Sequence, residues 1–348
     1  MISQTENNVV PVFFATDDNY APFLAVALNS LLKNASSTNL YKIYVLTTNL
    51  ALEHQEKISQ VVQKSGKNVS IEFVSLKDKM EQMKSMFHLR DYYSIETYYR
   101  FFIPDLFPEY DKVLYLDCDI VVLKDIAELY NTDITQNLVG AAVEEVMTEY
   151  DWAGNYVEKA LGVDRNTYFN AGILLMNAAE FRKQRIASQF INILQRFTFR
   201  VTQDEDYLNV ICKDKTVLLD LGWNKTAFKN KKFDDSHLNL VHYKISWKPW
   251  HYSGIEYEDY FWNYAQETAY IDELREMLKN YSDKDKARDE AMFKNLVKMC
   301  GEDSKDPNSY RAIMERESKK QNIFVKTALS LIKFVNFRNF LRFKKKEA

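Results

Sequence analysis

The stretch Val9-Val10-Pro11-Val12-Phe13-Phe14-Ala15, followed at once by Thr16-Asp17-Asp18-Asn19-Tyr20, decides the fold class of this chain. An apolar, β-rich run this short reads as a buried strand, and the polar cluster after it as the loop at its carboxyl end. Ala21 to Lys33 then shows helical spacing, Tyr41 to Thr47 reads as a strand, Ala51 to Lys64 as a helix and Val69 to Val74 as a strand. Strands alternating with helices imply βαβ units and a mostly parallel sheet, an α/β class. Residues 78 to 107 read as helical and aromatic-rich. Val113-Leu114-Tyr115-Leu116 is a further buried strand, and it ends at Asp117-Cys118-Asp119. Ligands of open parallel sheets bind beyond the carboxyl ends of the strands, where both Asp-rich loops lie. Tyr168 to Met176 and Val217 to Leu221 are expected as later strands, with a helix from Ala178 to Thr198 between them. Trp247-Lys248-Pro249-Trp250 closes this part of the chain. From about Tyr257 the pattern is helical only, so residues 1–265 are expected as one catalytic-sized domain and 266–348 as a helical appendage.

Composition narrows the chemistry. The 348 residues are 46% hydrophobic and 27% charged, the balance of a globular protein rather than a disordered chain. Eight glycines are few for this length, and neither G-x-x-x-x-G-K-[ST] nor G-x-G-x-x-G occurs. A phosphate-bearing ligand would therefore need a cation other than a glycine loop on a helix N-terminus. Three scattered cysteines without C-x-x-C spacing fit a reducing cytosol. Met1 to Asn8 lacks the order of a secretory signal, and no run of 18 apolar residues is present, so a cytoplasmic, non-spanning protein is expected. A net charge of -3 argues against nucleic acid as partner. The charge is uneven, because Lys319 to Ala348 carries nine Lys/Arg and one Glu, +8, which leaves -11 on residues 1–318. Phe324, Ala328, Leu331, Ile332 and Val335 recur there at helical spacing. A basic amphipathic tail is expected to lie on an anionic membrane surface, making the protein peripheral on the inner face; docking on the protein's own core is the alternative.

Four groups of residues could carry chemistry. On an extended backbone, Asp117 and Asp119 project to one side and can face one hard cation; the bland alternative is a pair of solvated aspartates. Asp117-Cys118-Asp119-Ile120-Val121 also fits the D-x-D-x-[TV] of haloacid dehalogenase-like phosphatases, with Asp117 as nucleophile. At least three strands precede it, however, whereas that motif sits on the first strand of its domain. His242, after an apolar run, could complete a metal site, and Lys248 six residues on could meet a phosphate, although lone histidines are more often structural. Gln203-Asp204-Glu205-Asp206 is an acidic cluster that a helix N-terminus would also favour. Arg100, among Tyr98, Tyr99, Phe101 and Phe102, needs a buried partner.

In order and spacing these pieces resemble glycosyltransferase family 8, the retaining sugar-nucleotide transferases that include bacterial lipopolysaccharide galactosyl- and glucosyltransferases. The resemblance runs from Val9 to about Tyr252. Ala15-Thr16-Asp17-Asp18-Asn19-Tyr20 is similar to the uridine-binding loop. Arg100 stands seventeen residues before Asp117, as the sugar-contacting arginine does, and Asp117-Cys118-Asp119 matches the metal-binding D-x-D. Phe169-Asn170-Ala171-Gly172 matches the F-N-A-G loop, Asp204 and Glu205 fall in the Q-D-Q-D motif, and His242 with Lys248-Pro249-Trp250 matches the closing H-x5-K-P-W. Two positions depart: Glu205 stands where the family usually has Gln, and Ile245 where a Gly often follows the motif's His by three residues.

The resemblance implies a GT-A-type, Rossmann-like domain that binds a UDP-hexose donor, galactose or glucose. It implies a divalent metal, Mn²⁺ before Mg²⁺, held by Asp117, Asp119 and His242, with Lys248 on the diphosphate. Asp17, Asn19 and Tyr20 would meet uracil and ribose, while Arg100, Asp204 and Asn170 would orient the hexose. Ala15, Cys118, Ala171 and Gly172 complete the donor site, and Glu205 with Asp204 and Arg100 form the catalytic set. The acceptor, a surface glycan, glycoprotein or lipid-linked sugar, is expected at the segments Met83 to Ser94 and Glu144 to Asn166. A non-catalytic sugar-nucleotide binder and a membrane adaptor are the alternatives to an enzyme.

Overall fold

The computed structural model describes residues 8–78 and 95–321. The opening strand β1 (Asn8–Ala15) is followed by helix α1 (Ala21–Asn34), β2 (Asn39–Thr47), helix α2 (Leu52–Lys64) and β3 (Val69–Ser75). Further along lie β4 (Lys112–Leu116), β5 (Ile120–Val122), β6 (Val139–Ala141), β7 (Ile173–Asn177), β8 (Thr216–Leu218), β9 (Lys225–Thr226) and β10 (Leu240–His242). Seven strands form one sheet in the order β3-β2-β1-β4-β7-β6-β8. Only β7 runs against its neighbours β4 and β6, so the central sheet is mostly parallel.

Both faces of the central strands β1, β4 and β7 are buried, which is why they read as continuous apolar runs. Alternation assigns the side chains to two cores. Val10, Val12, Phe14, Leu114, Leu116, Ile173 and Leu175 pack on one face against α1 and α2. Phe13, Val113, Tyr115, Leu174 and Met176 pack on the other. Pro11, without an N–H, is tolerated in an interior strand because the β1–β4 register begins one residue later, at Val12↔Leu114.

A second sheet, β5-β10-β9, is too short for hydrophobic periodicity to reveal. It pairs His242 with Ile120 on one side and Thr226 on the other. Three expected elements differ in extent. The strand expected from Tyr168 begins only at Ile173, and the strand near Val217 is Thr216–Leu218. The helix expected over 178–198 is two helices, Ala178–Gln184 and Ile186–Leu194, broken at Arg185 in a left-handed conformation (φ 54°). Of the segment read as helical between 78 and 107, the described part is a 3-10 turn, Ile95–Phe101, and a short helix, Ile103–Leu106.

The carboxyl-terminal helices are Glu258–Ala265, Ile271–Asn280 and Asp283–Asp303, and a further one runs from 310 to the last described residue, 321. Phe261, Ala265, Tyr270 and Leu274 join the first core, and Met299 and Cys300 the second. No helix among the described residues is long and apolar enough to cross a membrane. The tail residues singled out above lie outside the described residues.

Candidate active site

The sheet topology brings three loops together at the carboxyl end of β4. Asp117 donates its backbone N–H to Gly172 O (2.7 Å), which fastens the 169–172 loop beside the D-x-D. Tyr243 donates its N–H to Asp119 O (2.9 Å), which fastens β10 on its other side. The isolated pairing of Val143 with Phe169, flanked by Glu144 N–H to Tyr168 O (2.9 Å), aligns Glu144 with the same loop.

Asp117 Oδ1 is held by Arg100 Nη2 and by the Tyr115 hydroxyl, each at 3.0 Å. Asp119 Oδ2 is held by Lys248 Nζ at 2.8 Å. Each carboxylate thus has one oxygen on a neighbour of its own and one directed to a common point. His242 Nε2 meets them there, 3.2 Å from Asp119 Oδ1 and 3.8 Å from Asp117 Oδ2. These are the residues among those described whose ligand atoms converge for a metal ion, all within 4.8 Å of one another. Burial alone would raise the Asp119 carboxyl, but Lys248 and then His242 outweigh it and hold the group well below the ordinary carboxylate range.

A chain of amides tests whether this set fits a cation. Asn170 Nδ2 donates to Glu144 Oε2 (2.7 Å) and to Glu205 Oε2 (2.9 Å), which only accept, so the orientation of its amide is determined. Asn170 Oδ1 then accepts from Gly172 N–H (2.9 Å) and from Asn224 Nδ2 (2.8 Å). Asn224 therefore offers only its oxygen to His242 Nδ1, 2.9 Å away. In a neutral imidazole Nδ1 carries the proton, and Nε2 presents a lone pair to two carboxylate oxygens. Three lone-pair donors converging in a buried place fit a divalent cation. Gly172 keeps the space open, because a Cβ there would stand 2.4 Å from His242 Cε1 and 2.6 Å from Asp117 Oδ2.

Arg100 lies under the site, buried, with its guanidinium 4.2 Å from the centre of the Tyr115 ring. Its Nε is 3.2 Å from Asp204 Oδ2, and it also donates to the carbonyls of Thr97 and Ala171. The partner its sequence position required is thus a pair, the half-buried Asp117 and the buried Asp204. Asp204 and Glu205 open the helix Asp204–Ile211, after Gln203 in a positive-φ conformation (φ 52°). Burial raises the Asp204 carboxyl to about 6 despite Arg100 and Thr97. Glu205 Oε2 accepts from Asn170 and from Ala171 N–H (2.9 Å). Burial, and then the neighbouring Glu144, push the Glu205 carboxyl well above its ordinary range. The third acid, Asp206, turns away and binds the hydroxyls of Tyr156 (2.7 Å) and Tyr168 (2.8 Å), a structural role.

One cavity is lined by Ala15, Asp17, Tyr20, Arg100, Asp117, Cys118, Asp119, Asn170, Ala171, Gly172, Asp204, Glu205, His242 and Lys248. Asn19 is exposed, outside this lining, and its amide donates to Asp17 Oδ2 (3.2 Å). The thiol of buried Cys118 donates to Ala15 O (3.2 Å), tying the D-x-D to the end of β1. Lys248 Nζ is 5.7 Å from the centre of the Tyr20 ring and 5.1 Å from that of Trp250, which stacks on Phe23. Ile245, at the position where glycine is often found, takes a left-handed conformation (φ 58°). The loop keeps that shape without glycine, at a cost of about 1–3 kcal/mol, and Lys248 still reaches Asp119.

Sequence reasoning had Glu144 only as the first residue of an acceptor segment, and it missed Lys244, Asn224 and Thr97. Glu144 pairs with Lys244 inside the cavity, and Lys244 lowers its carboxyl against the effect of burial. Its signal was present: Glu144 ends the apolar run Val139–Val143 as Asp117 ends Val113–Leu116. Asn224 had no such signal, being one neutral amide after a tryptophan. Met83 to Ser94, one of the two segments expected to meet the acceptor, lies outside the described residues.

Residues 11–254 match the family model for glycosyl transferase family 8. The chain is 29% identical to General stress protein A of Bacillus subtilis over 76% of its own length and 96% of that protein's. It is 28% identical to lipopolysaccharide 1,3-galactosyltransferase of Salmonella typhimurium, over 70% and 73% respectively. Among solved structures, the galactosyltransferase LgtC in complex with donor and acceptor sugar analogues shares its fold, with a TM-score of 0.61, 24% identity and coverage of 77% of this chain and all of that one.

Proposed function

Because the chain belongs to glycosyl transferase family 8, we propose that it moves a hexose from a UDP-sugar to a glycan acceptor with retention of anomeric configuration. The observation that carries this reading is the convergence of Asp117 Oδ2, Asp119 Oδ1 and His242 Nε2 beside Lys248 in a cavity that also holds Arg100, Asp204 and Glu205. Asp117, Asp119 and His242 would hold the divalent cation, Mn²⁺ in the first place and Mg²⁺ in the second, as a mixed oxygen and nitrogen set favours. When bound, the ion neutralises charge on the departing diphosphate.

The remaining roles belong to the chain itself. Asp17 and Tyr20 bind uracil and ribose, Asn19 steadies the Asp17 carboxylate from outside the cavity, and Lys248 adds a positive charge at the diphosphate. Arg100, Asp204 and Asn170 orient the hexose, with galactose preferred and glucose second. Glu205 stabilises positive character at the anomeric carbon, and the acceptor attacks from the face the diphosphate leaves, its proton passing to the departing phosphate oxygen. The relationship to a lipopolysaccharide galactosyltransferase supports the donor and the acceptor class. We assign the sugar-nucleotide-binding unit to residues 1–265, with the helices that follow completing one side of the cavity and the basic end of the chain holding the protein at the cytoplasmic face of a membrane. The family match leaves the phosphatase reading of Asp117 without support.

The test is release of UDP from a panel of UDP-sugars with Mn²⁺ or Mg²⁺, with and without EDTA. Turnover of UDP-galactose or UDP-glucose that EDTA abolishes is expected, and Asp119→Asn should lower kcat at least about a hundredfold. Full activity in excess EDTA would overturn the metal role, and tight UDP binding without turnover would leave a binder rather than an enzyme.

A further inference from the structure

The cavity changes character along its wall. Besides its charged and polar groups, the cavity is lined by Met147, Trp152, Ile245, Met292, Phe293 and Leu296. Met292, Phe293 and Leu296 come from the helix Asp283–Asp303, at spacing that puts them on one face. The same helix buries Met299 and Cys300 in the second core, and Arg200 clamps its far end through Glu302 (2.9 Å) and Asp303 (2.6 Å). Near its start, Asp289 accepts hydrogen bonds from Tyr252 (2.9 Å) and Tyr281 (2.6 Å). The apolar face is therefore held over the cavity rather than swinging free. Trp152 meets Phe293 edge to face, ring centres 5.8 Å apart, although Phe293 remains 39% exposed.

We propose that this wall receives a hydrocarbon chain carried by the acceptor, so that the substrate is a lipid-linked sugar. The inference rests on the transferase reading above and names its acceptor class. The charged part of the cavity suffices for a sugar nucleotide, whose diphosphate and hydroxyls need Asp, Lys and Arg side chains. An acceptor must enter the same cavity, because its hydroxyl has to reach the donor carbon. Sugar hydroxyls laid against Met147, Met292, Phe293 and Leu296 would lose water without replacement, whereas methylenes there gain burial. The sequence beyond this helix agrees, since residues 319–348 combine a charge of +8 with apolar residues at helical spacing, the composition of a segment that lies on anionic lipid.

The experiment is calorimetric titration of the full chain with methyl, butyl, hexyl and octyl β-D-glucosides below micelle formation, with and without UDP and Mn²⁺. Affinity is expected to rise about three- to fourfold per added methylene until the wall is covered. In a Phe293→Ser/Leu296→Ser variant, whose folding is checked by circular dichroism and by its UDP isotherm, that rise should largely disappear. Equal affinity for methyl and octyl glucosides would mean that the wall receives a sugar face, and overturns the proposal. A chain-length dependence that survives in the variant overturns it as well, by placing the hydrocarbon elsewhere. Failure of the donor reading is read separately, as absence of UDP binding in the same titrations, while the glucoside series on the UDP-free chain still decides the wall.

Discussion

Asn224 Oδ1 lies 2.9 Å from His242 Nδ1, and this contact selects the nitrogen that His242 turns toward Asp117 and Asp119. The selection is not local. Asn224 is oriented by Asn170, and Asn170 by the two carboxylates Glu144 and Glu205, so one hydrogen-bond chain runs from the acidic side of the cavity to the metal-binding side.

Asn224→Leu should therefore weaken metal binding without touching a ligand. Second partners of ligating histidines are worth about 10- to 100-fold in metal affinity. Titration of the variant with Mn²⁺ should show a loss in that range, with the folding transition preserved. An unchanged Mn²⁺ isotherm would show that the imidazole needs no such guide.

Gly172→Ala should be more severe. The added Cβ would meet the His242 ring at 2.4 Å and Asp117 Oδ2 at 2.6 Å, and Asn170 Oδ1 at 3.0 Å. Something must shift, and each of these atoms belongs to the site. Activity is expected to fall at least about a hundredfold, since displacement by about 1 Å costs that much in a positioned site. Steady-state UDP release beside a thermal melt separates this from unfolding. Wild-type activity would mean that the loop has more room than this geometry allows.

The parts of the site legible in the sequence are those built on long apolar runs. Val9–Ala15 and Val113–Leu116 announce buried strands, and Asp17 and Asp117 announce their carboxyl ends. The parts that stay hidden are short or neutral. Strands β5 and β9 are three and two residues long, below any periodic signal, yet they set His242 beside Asp119. Asn224 and Asn170 act through the direction of an amide, which only the assembled fold determines. Arg185 breaks a helical pattern through a left-handed backbone that no glycine marks. Ile245 likewise holds a left-handed conformation with no glycine to mark it.

The buried Asp204 predicts an acid limb in the activity. Burial raises its carboxyl to about 6, above the ordinary value of 3.8, even with Arg100 beside it. The sign follows from linkage: the folded chain holds this proton more tightly than the unfolded chain does. The contribution of this group to stability is therefore full below the ordinary value and is lost as pH rises through about 6. In the proposed reaction activity runs the other way, because the ionised form, paired with Arg100, is the one that would accept from hexose hydroxyls. Plots of kcat/KM for UDP release at saturating metal should fall below pH 6, and Asp204→Asn should remove that limb from its residual activity. A wild-type profile flat to pH 4.5 would exclude ionised Asp204 from the reaction.

Glu205 decides between front-face attack and a covalent intermediate. Its Oε2 accepts two hydrogen bonds, from Asn170 Nδ2 and Ala171 N–H, as the carbonyl oxygen of a glutamine would. Burial and then Glu144 push the carboxyl well above its ordinary range, which disfavours the ionised form that would act as nucleophile. The position therefore asks for a hydrogen-bond acceptor of this shape, which a glutamine also supplies. Glu205→Gln should accordingly keep activity within about tenfold of wild type, because both hydrogen bonds survive. Glu205→Ala should lose more, at least about a hundredfold, because Asn170 and Ala171 N–H lose their acceptor and Asn170 is then free to turn, releasing Asn224 and His242. The Mn²⁺ isotherm of the alanine variant should weaken as well, which a residue acting only on the sugar would not cause. Mass spectrometry of the wild-type enzyme quenched during turnover completes the test: a hexose ester on Glu205, together with an inactive Glu205→Gln, would establish double displacement and overturn front-face attack.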